Sequence, residues 1–226
     1  MPDQRRLLRK ALRARRRALS VPERRRRSAL VVRALLNSPL WHRTRRLGLF
    51  LPNDGEVDLT GLLPRAWAGR RTCCLPVLHG ERLHFVPYRR GQCLRRNRFG
   101  IPEPAAPCPA GTRSRKGPGD RTSRRRMPVT ALDLVLAPLV GFDGQGNRLG
   151  MGGGYYDRTF AYLRHRRLWR RPLLVGVAFE LQRVPSLPVG SWDVPLDGVV
   201  TERGLHMLRG RVAGVPPSFS LAHAEE

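Results

Sequence analysis

Lysine is nearly absent from this chain, although basic residues are abundant. Only Lys10 and Lys116 are lysines among 43 lysine and arginine residues, which stand against 17 acidic residues and give a formal charge of +26. Such a charge is typical of proteins that bind nucleic acid or acidic membranes. A preference so strong for arginine agrees as well with a codon-composition bias of the genome as with selection for a binding surface.

Aromatic residues are absent from both arginine-rich clusters, Arg5–Arg27 and Arg113–Arg126. Proteins that bind single-stranded nucleic acid place aromatic side chains among the basic ones, because bases stack on these rings. We therefore expect no specific nucleic-acid partner, and non-specific adhesion to polyanions stays open. A basic nucleic-acid-associated protein that uses the two clusters is the alternative function from a different class.

Cysteines are few, and their spacing is not that of a metal site. Cys73 and Cys74 are adjacent, Cys93 and Cys108 stand apart, and no Cys-x-x-Cys occurs, so we expect four reduced thiols. The six histidines show no metal-ligand spacing either. A structural zinc site is therefore not expected.

Long apolar runs are also missing, and none approaches the ~20 residues that a membrane helix needs. The chain begins with an arginine-rich amphipathic segment in the place where a secretory signal would have an apolar stretch. We therefore expect a cytoplasmic monomer that has no membrane partner.

Two common nucleotide-binding motifs are absent. No Gly-Lys-Ser/Thr occurs, which excludes a P-loop. The dinucleotide fingerprint fails because Tyr155 or Leu149 stands where its last glycine belongs. The stretch Gly141–Arg158 nevertheless contains seven glycines, two arginines and two aspartates. A glycine-rich surface turn is the plain interpretation of this stretch.

A phosphate-binding turn is the interpretation that we favour for it. The apolar run Leu134–Val140 precedes the glycines, and Tyr155–Leu168 follows with apolar residues at helical spacing. Glycine allows positive φ and brings main-chain N–H groups close to a ligand, and a helix N-terminus favours an anion. Arg148 adds a donor fork that suits phosphate.

Short apolar runs and helical periodicity alternate along the chain, which predicts an α/β protein. A first helix has its apolar face at Leu7–Leu19, and Ser20 with Glu23 has the spacing of a capping box that opens a second helix, Val21–Leu36. Further helices are predicted at Leu59–Gly69 and Tyr155–Leu168. Predicted strands are Leu47–Leu51, Arg71–Val77, Leu83–Tyr88, Asp133–Val140, Leu173–Phe179 and Gly198–Thr201.

This alternation predicts a single three-layer α/β domain, with a largely parallel sheet flanked by helices. We expect the domain to span residues 1–212 and a tail to follow at 213–226. Within the domain, residues 105–130 are rich in Pro, Gly, Ser and Arg and poor in apolar residues, which predicts a mobile insertion.

The glycine-rich stretch resembles the signature of the 5-formyltetrahydrofolate cyclo-ligase family, also called methenyltetrahydrofolate synthetase. The resemblance rests on Phe-Asp, Gly-Asn-Arg-Leu-Gly, Gly-Gly-Gly and Tyr-Tyr-Asp-Arg in family order. It extends, also in family order, to Leu49–Asp58, Phe99–Pro104, Gly176–Glu180 and Asp193–Asp197. Family members use ATP and Mg²⁺ to convert 5-formyltetrahydrofolate to 5,10-methenyltetrahydrofolate, with release of ADP and phosphate.

The resemblance implies the residues that handle ATP and Mg²⁺. Arg148 and Asp157 would be catalytic, and Asp157 would hold Mg²⁺ together with Asp197. Arg5 and Arg9 would reach ATP from the first helix. The segment around the ATP phosphates would be Arg148, Leu149, Gly150, Met151, Gly152, Gly153, Gly154, Tyr155 and Tyr156. Without the resemblance, Asp157 is interpreted as a first-turn acid of a helix and Asp197 as a turn residue.

The resemblance also implies a folate site. Glu56 would accept two parallel hydrogen bonds from the pterin, and Leu51, Phe99, Tyr155 and Tyr156 would contact the substrate. The alternatives are a solvated turn acid for Glu56 and core packing for the other four.

Two residues depart from the family pattern. Arg5 stands where the family has a lysine, and Trp192 stands where many bacterial members have histidine. A paralogue that keeps the nucleotide loop but has another substrate, or has lost activity, is therefore the second alternative. Glu56 and Phe99 argue against it.

Overall fold

The computed structural model describes residues 2–105, 126–165 and 171–208. The α-helices in these ranges are α1 (Pro2–Arg17), α2 (Val21–Leu36), α3 (Pro39–Arg43), α4 (Leu62–Ala68) and α5 (Tyr155–Thr159). The strands are β1 (Arg46–Gly48), β2 (Thr72–His79), β3 (Arg82–Pro87), β4 (Leu94–Arg96), β5 (Pro102–Pro104), β6 (Leu134–Pro138), β7 (Gly141–Phe142), β8 (Arg148–Leu149), β9 (Leu173–Val177), β10 (Gly198–Thr201) and β11 (Gly204–Met207). Three 3₁₀ turns cover Val129–Ala131, Ala161–His165 and Glu180–Gln182.

The main sheet has seven strands in the order β11-β10-β9-β6-β1-β2-β3. The strands from β10 to β2 pair in parallel, and the two edge strands, β11 and β3, pair in antiparallel fashion. The central strand β6 is buried on both faces from Leu134 to Ala137, as expected for a parallel strand between two helix layers. The predicted α/β class with a largely parallel sheet is therefore confirmed.

Helices cover both faces of this sheet. One apolar cluster joins α2, α3 and α4 to one face, with Val31, Trp41 and Leu62 among its buried members. A second cluster on the other face contains Phe160 and Leu163, which follow α5. Helix α1 packs separately, because its Leu12 is buried with residues of β8 and the loops around it. The arrangement is the expected three-layer one.

The helix starts show how the sequence sets the local structure. The Ser20 side chain accepts a hydrogen bond from the N–H of Glu23 at 3.3 Å, which confirms the predicted cap of α2. The predicted helix Tyr155–Leu168 is wrong in length, since α5 ends at Thr159 and a 3₁₀ turn follows. The Thr159 hydroxyl donates to the carbonyl of Tyr155 at 2.7 Å, a local bond that disfavours continuation of the helix.

Several short elements were not predicted. They are α3, the β4–β5 hairpin, the β7–β8 hairpin and the edge strand β11. Strand β1 and helix α4 are also shorter than predicted. Most of the predicted insertion, residues 106–125, and all of the predicted tail, residues 213–226, lie outside the described residues. At the described end of the insertion, the N–H of Met127 donates to the carbonyl of Phe85 at 2.8 Å.

The cysteines differ partly from the expectation. Cys73 and Cys74 on β2 are free and buried, and burial raises their pKa values to about 11 and about 12. Cys93 is disulfide-bonded, so the expectation of four reduced thiols is wrong at this residue. Among the described residues, none of the helices has the length and apolar content that crossing a bilayer requires.

Candidate active site

The glycine-rich stretch is a hairpin followed by a loop. Strands β7 and β8 pair, and residues 143–147 form the hairpin tip. Asp143 is fully buried and accepts hydrogen bonds at 3.0 Å from the N–H groups of Gln145 and Asn147. Its second oxygen accepts from the N–H of Leu187 at 3.1 Å. Asp143 therefore fixes the hairpin, which places the following loop.

Residues 150–154 form this loop, which leads directly into α5. Gly152 and Gly154 have φ values of +104° and +65°, which side chains other than glycine rarely adopt. Within the described part of the chain, no N–H group of residues 151–154 donates to a carbonyl or a side chain. These donors are free for an anion. Because α5 has only 5 residues, we assign the anion preference to these donors and to arginine side chains, not to a helix dipole.

Arg148 lies behind the loop and is almost completely buried, with 3% of its side chain exposed. Its Nη2 donates to Asp157 Oδ1 at 2.5 Å, and its guanidinium lies 5.5 Å from the ring centre of Tyr156. Its Nε is buried and has no hydrogen-bond partner among the described residues. A buried donor without a partner is costly, so this atom fits a site that a ligand completes.

Helix α1 brings two more arginines to the same loop. Arg9 Nε donates to the carbonyl of Gly150 at 2.9 Å. Arg5 forms a two-pronged ion pair with Asp193, with N–O distances of 2.8 and 3.1 Å. Burial and the positive charge of Arg5 lower the pKa of Arg9. Of the two arginines predicted to reach ATP, Arg9 therefore contacts the glycine loop, and Arg5 lies one turn earlier on α1, paired with Asp193.

The two carboxylates predicted to hold a metal have different surroundings. Asp157 Oδ1 accepts from Arg148 and, at 3.1 Å, from the N–H of Val194. Asp197 Oδ2 accepts at 2.7 Å from the N–H of Leu174, which lies in the sheet. In the described ranges, no group of three or more His, Cys, Asp or Glu residues could hold a metal ion.

Asp193 is the carboxylate that the sequence interpretation missed. It precedes Val194, whose N–H binds Asp157, and it pairs with Arg5. The segment Asp193–Asp197 was singled out by resemblance, but only its last residue was given a role. The pairing of Arg5 with Asp193 joins positions 188 residues apart, so no local signal in the sequence could reveal it.

Glu56 lies after β1, on the side of the sheet where the glycine loop lies. Its Oε2 accepts from the N–H of Asn53 at 3.0 Å, and burial raises its pKa to about 7. Burial also raises the pKa of Tyr156. The negative charge of Glu56 raises this pKa further, and the positive charge of Arg148 opposes the increase. Glu56, Tyr156 and Arg148 therefore share one electrostatic environment. Glu56 is half-buried and is not the fully solvated turn acid of the alternative interpretation.

The other predicted substrate residues divide into two groups. Phe99 is 51% exposed, and its ring meets that of Tyr155 edge-on at 6.0 Å between centroids. Phe99 is therefore not a core residue and exposes its ring at the tip of the β4–β5 hairpin, whereas Tyr155 is half-buried and also packs against a core cluster. Tyr156 stacks on Phe160 at 6.1 Å, and Leu51 packs against the core, so these two also have structural roles.

The fold and this site define an α/β protein with a glycine-rich loop at the carboxyl edge of a parallel sheet, the place where α/β proteins bind ligands. The model of the 5-formyltetrahydrofolate cyclo-ligase family matches residues 2–202. The chain is 35% identical over 193 residues to the 5-formyltetrahydrofolate cyclo-ligase of Escherichia coli K12, covering 84% of this chain and 96% of that protein. It is 33% identical over 169 residues to that of Haemophilus influenzae, covering 74% and 80%.

The solved structures agree with these sequence relatives. The 5,10-methenyltetrahydrofolate synthetase of Aquifex aeolicus superposes with a TM-score of 0.72 and 32% identity, covering 97% of both chains. That of Mycoplasma pneumoniae superposes with a TM-score of 0.64 and 21% identity, over 88% of this chain and 98% of that one, which supports the fold alone. The chain therefore belongs to the 5-formyltetrahydrofolate cyclo-ligase family, a family of enzymes.

Proposed function

We propose that this enzyme converts 5-formyltetrahydrofolate to 5,10-methenyltetrahydrofolate at the expense of ATP, with Mg²⁺ as cofactor and with release of ADP and phosphate. The observation that carries the proposal is the adjacency of two chemically different regions. A loop with free N–H groups and arginines suits phosphates, and it adjoins Glu56 and the exposed ring of Phe99, which suit a pterin.

The ATP phosphates would be held by the loop 150–154. The N–H groups of residues 151–154 have no acceptor in the described part of the chain, and Arg9 and Arg148 supply positive charge on two sides of the loop. Arginine forks bind phosphate oxygens at two points. The buried Nε of Arg148 has no hydrogen-bond acceptor among the described residues, and a phosphate oxygen would supply one. In phosphoryl transfer, such positioning and charge neutralisation account for most of the catalysis.

The metal would be held by Asp157, because a hard cation prefers carboxylate oxygens. Asp197 was the second ligand expected from the sequence, but the contacts favour Asp193. Asp193 lies on the loop that binds Asp157, and its Oδ2 accepts from the N–H of Gly190 in that same loop at 2.8 Å, whereas Asp197 binds the N–H of Leu174 in the sheet. When bound, Mg²⁺ would neutralise phosphate charge and orient the phosphate chain.

The folate would occupy the neighbouring region. The ionised Glu56 carboxylate would accept two adjacent N–H groups of the pterin. Phe99 would pack against the folate rings, because its ring is exposed there, and Tyr155 would contact them beside it. Tyr156 and Leu51 would support this region from the core side.

The substrate would supply both nucleophiles of the reaction. The formyl oxygen would attack the γ-phosphorus, the bond to ADP would break, and N10 would then close the ring as phosphate leaves. The protein would have to hold both substrates in line and exclude competing water. No serine, cysteine or histidine nucleophile is needed.

We further propose that the enzyme works as a cytoplasmic monomer without a specific nucleic-acid or membrane partner. Its reaction consumes ATP, which agrees with an intracellular location. Its charge of +26 would cause only non-specific, salt-sensitive adhesion to polyanions.

Absorbance-monitored formation of methenyltetrahydrofolate, with and without MgATP, tests the proposal. We expect product only with MgATP, and one ADP for each product molecule. The folded Arg148→Met variant is the control, because it keeps the bulk of the side chain and loses its donors. Two results would instead support a paralogue with another substrate or without activity. One is ATP hydrolysis without conversion of the folate, and the other is a protein that binds MgATP but forms no methenyltetrahydrofolate.

A further inference from the structure

A cavity lies at the opposite edge of the sheet from the candidate active site. It has a volume of about 850 Å³ and is lined by the first residues of β1 and β2 and the last residue of β3. Parallel strands β1 and β2 begin there, whereas Glu56 and the glycine loop follow the strand ends. Its volume is within the ~300–1,000 Å³ of small-molecule sites. We call it the basic cavity.

The basic cavity is named for the arginines that line it, which are Arg46, Arg70, Arg71, Arg89, Arg90 and Arg126. Among its lining residues, all of which the structure describes, none is acidic. Asp133, which lies near its rim, already accepts from the N–H groups of Arg45 and Arg46 and pairs with Arg171. Among the residues that the structure describes, the positive charge in the cavity therefore has no free carboxylate to neutralise it.

These arginines have two different roles. Arg71 is tied to the carbonyls of Thr44 and Trp41 at 3.0 and 3.2 Å, and Arg46 is tied to that of Ala131 at 3.3 Å. The other four arginines have no side-chain hydrogen bond or ion pair with any described residue. Two fixed arginines thus form part of the wall, and four guanidinium groups remain available to a ligand.

The backbone at the end of α4 brings two of these arginines together. Arg70 has a φ of +54°, a conformation uncommon for a residue other than glycine. This residue follows the last turn of α4, where the N–H of Arg71 donates to the carbonyl of Ala66 at 2.9 Å, so the left-handed conformation ends the helix. The turn places the consecutive residues Arg70 and Arg71 at the wall of the cavity.

Aromatic rings complete the cavity. Trp67 and Tyr88 both line it, with 6.0 Å between ring centroids, and Trp67 Nε1 donates to the carbonyl of Tyr88 at 3.3 Å. Both residues are half-buried. Aromatic rings beside arginine donors suit a ligand that carries both a planar ring and phosphate groups.

We propose that the basic cavity binds a nucleoside polyphosphate at a site separate from the active site. The guanidinium groups of Arg70, Arg89, Arg90 and Arg126 neutralise its phosphates, and Trp67 and Tyr88 contact its ring. The inference does not depend on the reaction proposed above. A purely inorganic polyphosphate shares the anionic part of this chemistry and lacks the ring, so the two can be separated by experiment.

Isothermal titration of the full chain with ADP and, separately, with inorganic tripolyphosphate tests the proposal at ~150 mM KCl, where non-specific surface adhesion is screened. We expect two ADP molecules per chain. The triple variant Arg70→Ala/Arg89→Ala/Arg90→Ala should weaken one of these sites at least ~30-fold and keep the other, because several charge-assisted hydrogen bonds are lost. We expect ADP to bind this site more tightly than tripolyphosphate does.

The control is the triple variant Arg15→Ala/Arg25→Ala/Arg33→Ala, whose three arginines are exposed on α1 and α2. It removes the same charge and should keep both sites. Retention of two sites by the cavity variant would overturn the proposal, as would equal weakening in the control. Tighter binding of tripolyphosphate than of ADP would overturn the assignment of a ring-bearing ligand. Because all three cavity residues are exposed, the melting temperature of the variant should match that of the control.

Discussion

Arg16 and Asp54 form an ion pair, with 2.8 Å between Nη2 and Oδ2, that joins helix α1 to the loop before Glu56. Arg16 is 1% exposed, and it also donates to the carbonyls of Asp54 and Leu139 at 3.1 Å each. Asp54 itself has a φ of +51°. Arg5 and Arg9 lie on the same helix and contact the nucleotide side, so one helix contacts both halves of the candidate site.

The first prediction compares two arginines that pair with this one carboxylate. Arg16→Ala should lower the free energy of unfolding by about 2–4 kcal/mol, because it removes a fully buried side chain, leaves Asp54 with only the more exposed Arg13 and Arg17, and leaves the carbonyl of Asp54 without its donor. Arg17 also pairs with Asp54 but is 57% exposed, so Arg17→Ala should cost at most about 1 kcal/mol. Urea unfolding of the two variants measures the difference. Equal losses would mean that burial of Arg16 contributes nothing.

The second prediction concerns the metal. Asp157→Ala should lower the turnover rate at least ~100-fold, because metal-assisted neutralisation of the phosphate charge is lost. Asp193→Asn should raise the Mg²⁺ concentration needed for half-maximal rate by roughly 10-fold or more. Asp197→Asn should mainly lower the melting temperature, because this carboxylate accepts the N–H of Leu174 in the sheet.

Magnesium titrations at saturating ATP and folate distinguish these variants. Thermal melting without ligands provides the structural comparison. If Asp197→Asn shifts the Mg²⁺ dependence while Asp193→Asn leaves it unchanged, the ligand expected from the sequence is the right one. A near wild-type rate for Asp157→Ala would remove Asp157 from the metal site.

The third prediction tests the contribution of α1 to nucleotide binding. Arg9 donates to the carbonyl of Gly150 in the glycine loop, whereas its neighbour Lys10 is exposed. Arg9→Ala should raise the KM for ATP by roughly 10- to 100-fold, the effect of losing hydrogen bonds to a charged group. Lys10→Ala removes the same charge and should leave this KM within about 2-fold. Steady-state kinetics at saturating folate measure both. Equal effects would indicate a general electrostatic contribution of the helix.

Much of the fold could be predicted because its determinants are local. The buried run from Leu134 to Ala137 and the cap formed by Ser20 are both evident from residues close together in the sequence. The hairpin inside the glycine-rich stretch could not be predicted in this way. It depends on Asp143, whose side chain binds two N–H groups of its own turn and that of the distant Leu187.

The candidate site could be predicted only in part, for a similar reason. The glycine loop and Arg148 are contiguous in the sequence, and the loop has the expected free donors. The pairing of Arg5 with Asp193 and that of Arg16 with Asp54 are set by how α1 packs on the domain. Sequence spacing carries no information about such long-range contacts, so Asp193, Asp54 and Arg16 were missed.

The fourth prediction concerns the folate. Glu56→Gln keeps the shape of the side chain but replaces an acceptor oxygen with a donor that opposes the pterin N–H groups. The KM for 5-formyltetrahydrofolate should rise by roughly 10- to 100-fold, because a polar group is left unpaired in the site. The KM for ATP should change little. An unaltered folate KM together with impaired folding would instead identify Glu56 as a structural turn residue.

The last prediction follows from the pKa of Glu56, which burial raises from 4.5 to about 7. The folded state binds the proton of the Glu56 carboxyl group more tightly than the unfolded chain does. The contribution of Glu56 to the free energy of unfolding therefore falls as the pH rises from about 4.5 to about 7, by on the order of 1–3 kcal/mol. The pterin requires the ionised carboxylate, so folate binding has the opposite dependence. The folate KM should therefore rise about 10-fold as pH falls from about 8 to about 6.

The Glu56→Gln variant is the control. Its side chain cannot lose a proton in this range, so neither its folate KM nor its free energy of unfolding should show this pH dependence. Changes in the KM for ATP that come from ionisation of ATP itself should remain in both proteins. Folate KM values and urea unfolding of both proteins across this range measure the two slopes. If the variant retains the wild-type slopes, another group controls this pH dependence.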